Sequence, residues 1–172
     1  MNRLEGALKR YDGKTTATLS EIRAAFGGRQ TFPSDLVRLA AHDDTRVSEG
    51  ATWLIKDLLD GGARLTPSQT EDLLGRLDAV SSWQAQLHIC QAAGRLETPA
   101  HLTDACADWL TSLLQSDRPF LRAWSMDALQ HLASRSRKLA GRAEAALAAA
   151  EQDPAASVRA RARNWRKRAK RR

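Results

Sequence analysis

Apolar positions along the chain return at a long, nearly constant interval. Val47, Ala85, Leu121 and Val158 each open a helical apolar pattern, at steps of 38, 36 and 37 residues. Eleven residues before each anchor stands a leucine (Leu36, Leu74, Leu110, Leu147), and eight before it come Leu39, Leu77, Leu113 and Ala150. After the anchor the stripe reads Val47, Ala51, Leu54, Ile55, Leu58, then Ala85, Ile89, Ala92, Ala93, Leu96, then Leu121, Trp124, Ala128, Leu129, Leu132. Steps of about 3–4 and 7–8 place such residues on one face of an α-helix. The earlier leucines belong to a preceding helix. Polar punctuation separates the two helices: His42-Asp43-Asp44, Ser81-Ser82, Ser116-Asp117-Arg118-Pro119 and Gln152-Asp153-Pro154. Asp and Ser there suit N-caps, and Pro119 and Pro154 fit only a turn or a first helical turn. The predicted unit is a helix pair joined by a tight turn. Its recurrence marks stacked supersecondary units rather than a single globular core.

The boundaries between units are equally marked. Gly61-Gly62 ends the first, Thr66-Pro67 and Thr98-Pro99 are expected to open the following helices, and Ser68–Glu71 is a weaker start signal. Gly94 is placed to loosen the end of the helix before it. Alternating strand runs and strand-flanked hairpin turns are missing; Asp12-Gly13 lies between Leu4, Leu8, Tyr11 and Leu19, Ile22, Phe26, both at helical spacing, and Gly27-Gly28 stops the second. The fold class expected is all-α.

A two-helix unit of this period resembles the HEAT and HEAT-like repeats. The resemblance runs from Phe32 to about Arg168 and rests on the leucines before each turn, the Asp near it, and Leu121-Arg122 or Val158-Arg159 opening the second helix. Tetratricopeptide units, with a ~34-residue period and a regular Trp-Leu-Gly-Tyr set, fit less well. The resemblance implies an α-solenoid of about four repeats (32–62, 66–97, 98–133 and 134–172) behind an N-terminal helical cap, residues 1–31. A cap covers a stacking face that an end repeat otherwise exposes.

Composition changes this picture little until charge is considered. Two cysteines without framework spacing suggest a reducing cytoplasm. Cys90 and Cys106 fall at matching distances either side of Thr98, where antiparallel helices bring residues close, but two buried small apolar side chains are the simpler expectation. No apolar run nears the ~20 residues that span a bilayer, and the N-terminus shows no apolar signal segment. The net charge is +7, from 27 basic and 20 acidic residues, yet residues 155–172 hold nine Lys or Arg and no acid. The excess of positive charge therefore lies entirely in the last predicted helix. There Val158, Ala162, Trp165 and Ala169 continue the apolar stripe, while Arg166 takes the place held elsewhere by Ile55, Ala93 and Leu129, as in a terminal cap.

Arg159, Arg163, Arg166, Lys167 and Lys170 share one side of this helix, flanked by Arg161, Arg168 and Arg172. Nucleic-acid phosphates suit such a row, since each neutralised phosphate releases a counterion. Anionic lipid or an acidic protein partner suits it too, and cations also complement the negative end of a helix dipole. No base-reading motif is present, so contact with nucleic acid is expected at the backbone.

Further readings follow from the resemblance. It implies that second helices line a concave face, where a ladder of Arg95, Arg122, His131 and Arg159 grows more positive toward the C-terminus. Some HEAT-like proteins are DNA glycosylases with a tryptophan-lined cleft and an essential aspartate. Trp53 and Asp57, four apart, are the candidates for those roles, with Trp124 and Asp127 a poorer pair; the aspartate would stabilise charge developing on the sugar and Trp would stack on the nucleotide. The wider signature of those enzymes is absent. The histidines His42, His88, His101 and His131 include no pair at ligand spacing, and His101, Asp104 and Asp108 read as solvent-facing. No metal or cofactor is expected, and no Gly-x-Ser-x-Gly elbow or phosphate-cradling loop occurs. Trp124 and Trp165 lie on predicted core stripes, where packing is the expected role. The chain reads as a non-catalytic binding module, for nucleic acid first and for a protein second.

Overall fold

The computed structural model describes residues 3–170, which contain ten α-helices and no strand. The chain divides into two compact units, Met1–Pro99 and Ala100–Arg172. All four anchors are at most 2% exposed, and the eight positions that precede them are buried as well. Burying a Leu or Val side chain stabilises by ~1.5–3 kcal/mol, so these recurrent positions carry much of each unit's folding free energy.

In the first unit, α1 (Arg3–Leu8) and α2 (Thr16–Phe26) both lie against α4 (Thr45–Asp60); α3 (Phe32–Leu39) packs on α4 and on α5 (Pro67–Leu74), and α4 packs on α6 (Trp83–Ala92). Local chemistry starts and stops these helices. Asp44 accepts the backbone N–H of Arg46 at 3.0 Å and caps α4. Thr66 caps α5 by a reciprocal exchange with Gln69, so the pair Ser68–Glu71 lies inside the helix rather than opening it. At the far end of α4, Gly62 adopts φ +90°, a conformation that a side chain disfavours. α6 ends at Ala92 in a 3₁₀ turn, Ala93–Arg95, around Gly94.

Gly50, in the middle of α4, allows the N-terminal helices their close approach. A Cβ there would stand 2.7 Å from a Leu8 methyl and 3.2 Å from a Leu19 methyl. Polar side chains then tie α4 to α6. Ser82, at the N-cap of α6, donates its hydroxyl to Glu49 instead of accepting a helical N–H, and Thr52 Oγ1 lies 3.1 Å from His88 Nδ1.

The second unit holds α7 (Thr103–Leu113), α8 (Pro119–Ala133), α9 (Ala140–Glu151) and α10 (Ala156–Ala169). α8 contacts the other three, and α9 packs on α10. Thr98-Pro99 does not open α7: a 3₁₀ turn over Ala100–Leu102 intervenes, and Leu102 is the N-cap. Tighter turns of this kind commonly precede helices. Pro119 sits at the start of α8 as expected. Cys90 and Cys106 are buried thiols, neither in a disulfide, and burial pushes the Cys106 thiol up to about 11.

Side-chain links within each unit repeatedly join residues about one repeat apart. Arg23–Asp57, Lys138–Asp104, Arg142–Asp108 and Arg161–Asp127 are all 34 residues apart, and Arg122–Asp153 is 31 apart. In the first four of these, the partners lie on different elements brought together by the packing, and each cation is met by an acid of its own unit. No helix among the described residues is long and apolar enough to cross a membrane.

Candidate nucleic-acid interface

α10 is placed by its apolar edge. Val158 and Ala162 are buried, and Trp165 is half-buried. The cations around this edge then separate into two sets according to what they meet.

The first set is committed to the unit itself. Arg122, the first residue after its anchor, donates from Nε and Nη2 to both carboxylate oxygens of Asp153 (2.8 and 2.9 Å) and from Nη1 to the carbonyl of Ser116 (2.8 Å). This fork joins the α7–α8 turn to the α9–α10 turn. It holds the Asp153 carboxyl below its usual range, while the Arg122 guanidinium is pushed up by the same bonds. Arg159 donates to the carbonyls of Asp153 (2.7 Å) and Pro154 (2.8 Å). Arg166 reaches back across its own hairpin to Glu144 and Glu151, at 2.6 and 3.0 Å, and depresses both carboxyls. Arg122, Arg159 and Arg166 thus stand in structural contacts, and the row drawn along one side of the helix loses two of its five members.

Arg161 belongs to this set as well. Its Nη1 donates to Asp127 at 3.1 Å, and its guanidinium carbon lies 3.4 Å from the centroid of the Trp124 ring. Asp127 is 3% exposed and also stands 3.3 Å from His131 Nε2. Burial pushes the Asp127 carboxyl up, but the His131 hydrogen bond and the Arg161 charge outweigh it and the net shift is down. Trp165 meets His131 edge to face at 4.9 Å. Trp124 and Trp165 are therefore half-buried at the α8–α10 seam, not sunk in the core as the apolar stripe predicts. Arg161 covers the Trp124 ring, and His131 meets the edge of Trp165.

The second set is open. Arg163, Lys167 and Lys170 are exposed, and their side chains make no hydrogen bond or ion pair with another described residue. Standing at i, i+4 and i+7, they fall within about 60° of arc on the outward face of α10. Arg168 is exposed on another side of α10, its guanidinium 5.8 Å from the Trp165 ring centroid. Arg172 lies outside the described residues.

The remaining candidates lie in the first unit. Arg95 pairs with Asp60 at 2.9 Å, and Asp60 also accepts from Lys56 at 2.6 Å. Trp53 and Asp57 are both half-buried on α4, and Asp57 takes an ion pair from Arg23 of α2. Both candidate glycosylase carboxylates, Asp57 and Asp127, thus already carry a guanidinium partner. The Asp127–Arg161–His131 cluster is assembled by the packing of α10 on α8. Its one trace in the sequence is that Trp124, Asp127 and His131 recur at steps of three and four on α8, so they share a face. No group of His, Cys, Asp and Glu among the described residues has the arrangement of a metal site.

No protein-family model matches the chain, and neither a curated protein nor a solved structure matches it.

Proposed function

We propose that this protein is a non-catalytic, cytoplasmic binding module of four HEAT-like helix pairs, capped by α1 and α2, which holds nucleic acid by its phosphate backbone on the outer face of α10. The observation that carries the proposal is the segregation of cations around that helix. Arg159, Arg161 and Arg166 have protein partners, whereas Arg163, Lys167 and Lys170 form a continuous exposed row without them. Lys167 and Lys170 stand at the C-terminal end of α10, where the helix dipole favours cations, and Arg163, a turn earlier, carries the unpaired row beyond that end. Three aligned point charges on a rigid helix match a phosphate backbone and carry no base-reading geometry.

The experiment is binding to short duplex DNA and RNA across a salt series, comparing the protein with an R163Q/K167Q/K170Q variant and with a chain truncated after Ala156. Each phosphate neutralised on duplex DNA contributes ~0.9 to the log–log salt slope. The triple variant should therefore lose about 2.7 of slope, and its binding should weaken alike for all sequences. An unchanged slope in the variant refutes the proposal. Retention of an acidic protein partner by the parent chain, with no nucleic-acid binding, would make the same row an adaptor surface.

A further inference from the structure

Arg166 meets more negative charge than its own charge requires. Its Nη1 and Nη2 donate to the two oxygens of Glu144 at 2.9 and 2.6 Å, and its Nε and Nη2 donate to the two oxygens of Glu151 at 3.0 and 3.2 Å. Among the described residues Arg122 pairs with one carboxylate, Asp153, and Arg161 with one, Asp127. Two carboxylates on one guanidinium leave the Arg166 cluster with an excess of negative charge. The two acids are not equivalent. Glu151 and Arg166 keep 32% and 34% of their side-chain exposure, so Glu151 holds Nε in a half-buried pair. Glu144 is 59% exposed and bonds Nη1, the nitrogen that Glu151 does not bond. Arg166 stands three residues after Arg163 and four before Lys170, so it is a surface neighbour of both on α10, with Cβ atoms about 5–6 Å apart.

Resting on the proposed nucleic-acid reading, we infer that Glu144 is an autoinhibitory contact: it masks Arg166, a fourth phosphate-binding cation beside the open row, and so limits the affinity of α10 for a polyanion. Holding Arg166 to its own hairpin takes one carboxylate, and Glu151 supplies it with a fork. An exposed second ion pair adds little to that hold, because water and salt screen it. What Glu144 does add is a negative charge next to Arg163 and Lys170 and a partner on Nη1, and both oppose an approaching phosphate. Without the Glu144 carboxylate, Glu151 still orients the guanidinium through Nε and Nη2. Nη1 is then available to donate a charge-assisted hydrogen bond to a phosphate oxygen at the edge of the row.

The test is binding to a short duplex DNA across a salt series, with melting temperatures measured on the same proteins. Each phosphate contact contributes ~0.9 to the log–log slope, so Glu144→Gln should steepen the slope by about 0.5–0.9 and tighten binding about three- to eightfold near ~0.1 M salt. Its melting temperature should stay close to that of the parent. The double variant E144Q/R166Q should return to the parent slope. Asp104→Asn is the charge-matched control: it removes one exposed acid, and it frees Lys138 rather than a neighbour of the row. It should leave the slope nearly unchanged. An unchanged slope in Glu144→Gln, or an equal gain in Asp104→Asn, overturns the masking inference and leaves the phosphate row standing. A large fall in the melting temperature of Glu144→Gln makes Glu144 a structural anchor and overturns it as well. No binding of duplex by the parent chain or by Glu144→Gln overturns the nucleic-acid reading itself, and the masking with it.

Discussion

Replacing Arg122 by alanine separates a structural arginine from a ligand-binding one. Arg122 and Asp153 retain only 17% and 11% of their side-chain exposure, and two N–H groups meet two carboxylate oxygens within 2.9 Å. Surface ion pairs are worth ~0.2–1 kcal/mol, but this pair is largely desolvated and forked. Removing the guanidinium leaves Asp153 with the backbone N–H of Ala155, at 2.8 Å, as its remaining partner, and strips the Ser116 carbonyl of its donor. The expected cost is about 2–3 kcal/mol, most of it the penalty of a stranded carboxylate. Arg122→Lys keeps charge but not the fork and should cost about 1 kcal/mol. Urea unfolding followed by far-ultraviolet circular dichroism reads these differences, and a double-mutant cycle with Asp153→Asn should return a coupling of about 1.5–2 kcal/mol. The pair's contribution also has a defined pH window. The Asp153 carboxyl is lowered in the folded state, so its stabilisation is complete above the unfolded value near ~3.9 and is lost as pH falls through the folded one. The gap between wild type and Arg122→Ala should therefore close in acid. An Arg122→Ala protein of unchanged stability, whose nucleic-acid salt slope has dropped by about one, would refute this account and return Arg122 to the binding surface.

Other perturbations test other levels of the structure. Burial, with a smaller push from the charge of Lys56, lowers His88 to about 4, so between pH ~6.5 and about 4 the unfolded chain binds a proton that the folded chain does not. Stability should fall across that window by about 3 kcal/mol, and His88→Gln should flatten the dependence in pH-dependent urea melts. Gly50→Ala places a methyl 2.7 Å from Leu8 in packed surroundings; a net loss of about 1–2 kcal/mol is expected despite the ~1 kcal/mol gain in helix propensity, and a more stable variant would contradict the close approach. The Cys106 thiol, buried and raised to about 11, should resist alkylation in the native protein and react at the ordinary rate once unfolded, which mass spectrometry of alkylated peptides measures.

Much of the architecture is legible from local chemistry. Apolar residues at helical steps fix which face is buried. Asp44, Thr66 and Pro119 mark starts, because a cap or a proline acts on the residues next to it. Where a start depended on more than its neighbours, the same signals misled: Thr98-Pro99 resembles Thr66-Pro67, yet a 3₁₀ turn separates it from α7.

The proposed binding surface is another matter. The sequence by itself determined the helices, their apolar faces and the concentration of positive charge in the last one, since these follow from periodicity and composition over a few turns. Only the tertiary structure decided which cations remain free. Arg122, Arg161 and Arg166 differ little in sequence context from Arg163 and Lys167, but their partners lie 31, 34 and 15–22 residues away. A charge is neutralised by whatever acid the packing sets within about 3 Å, and helix stacking, not the order of residues along one helix, sets that distance.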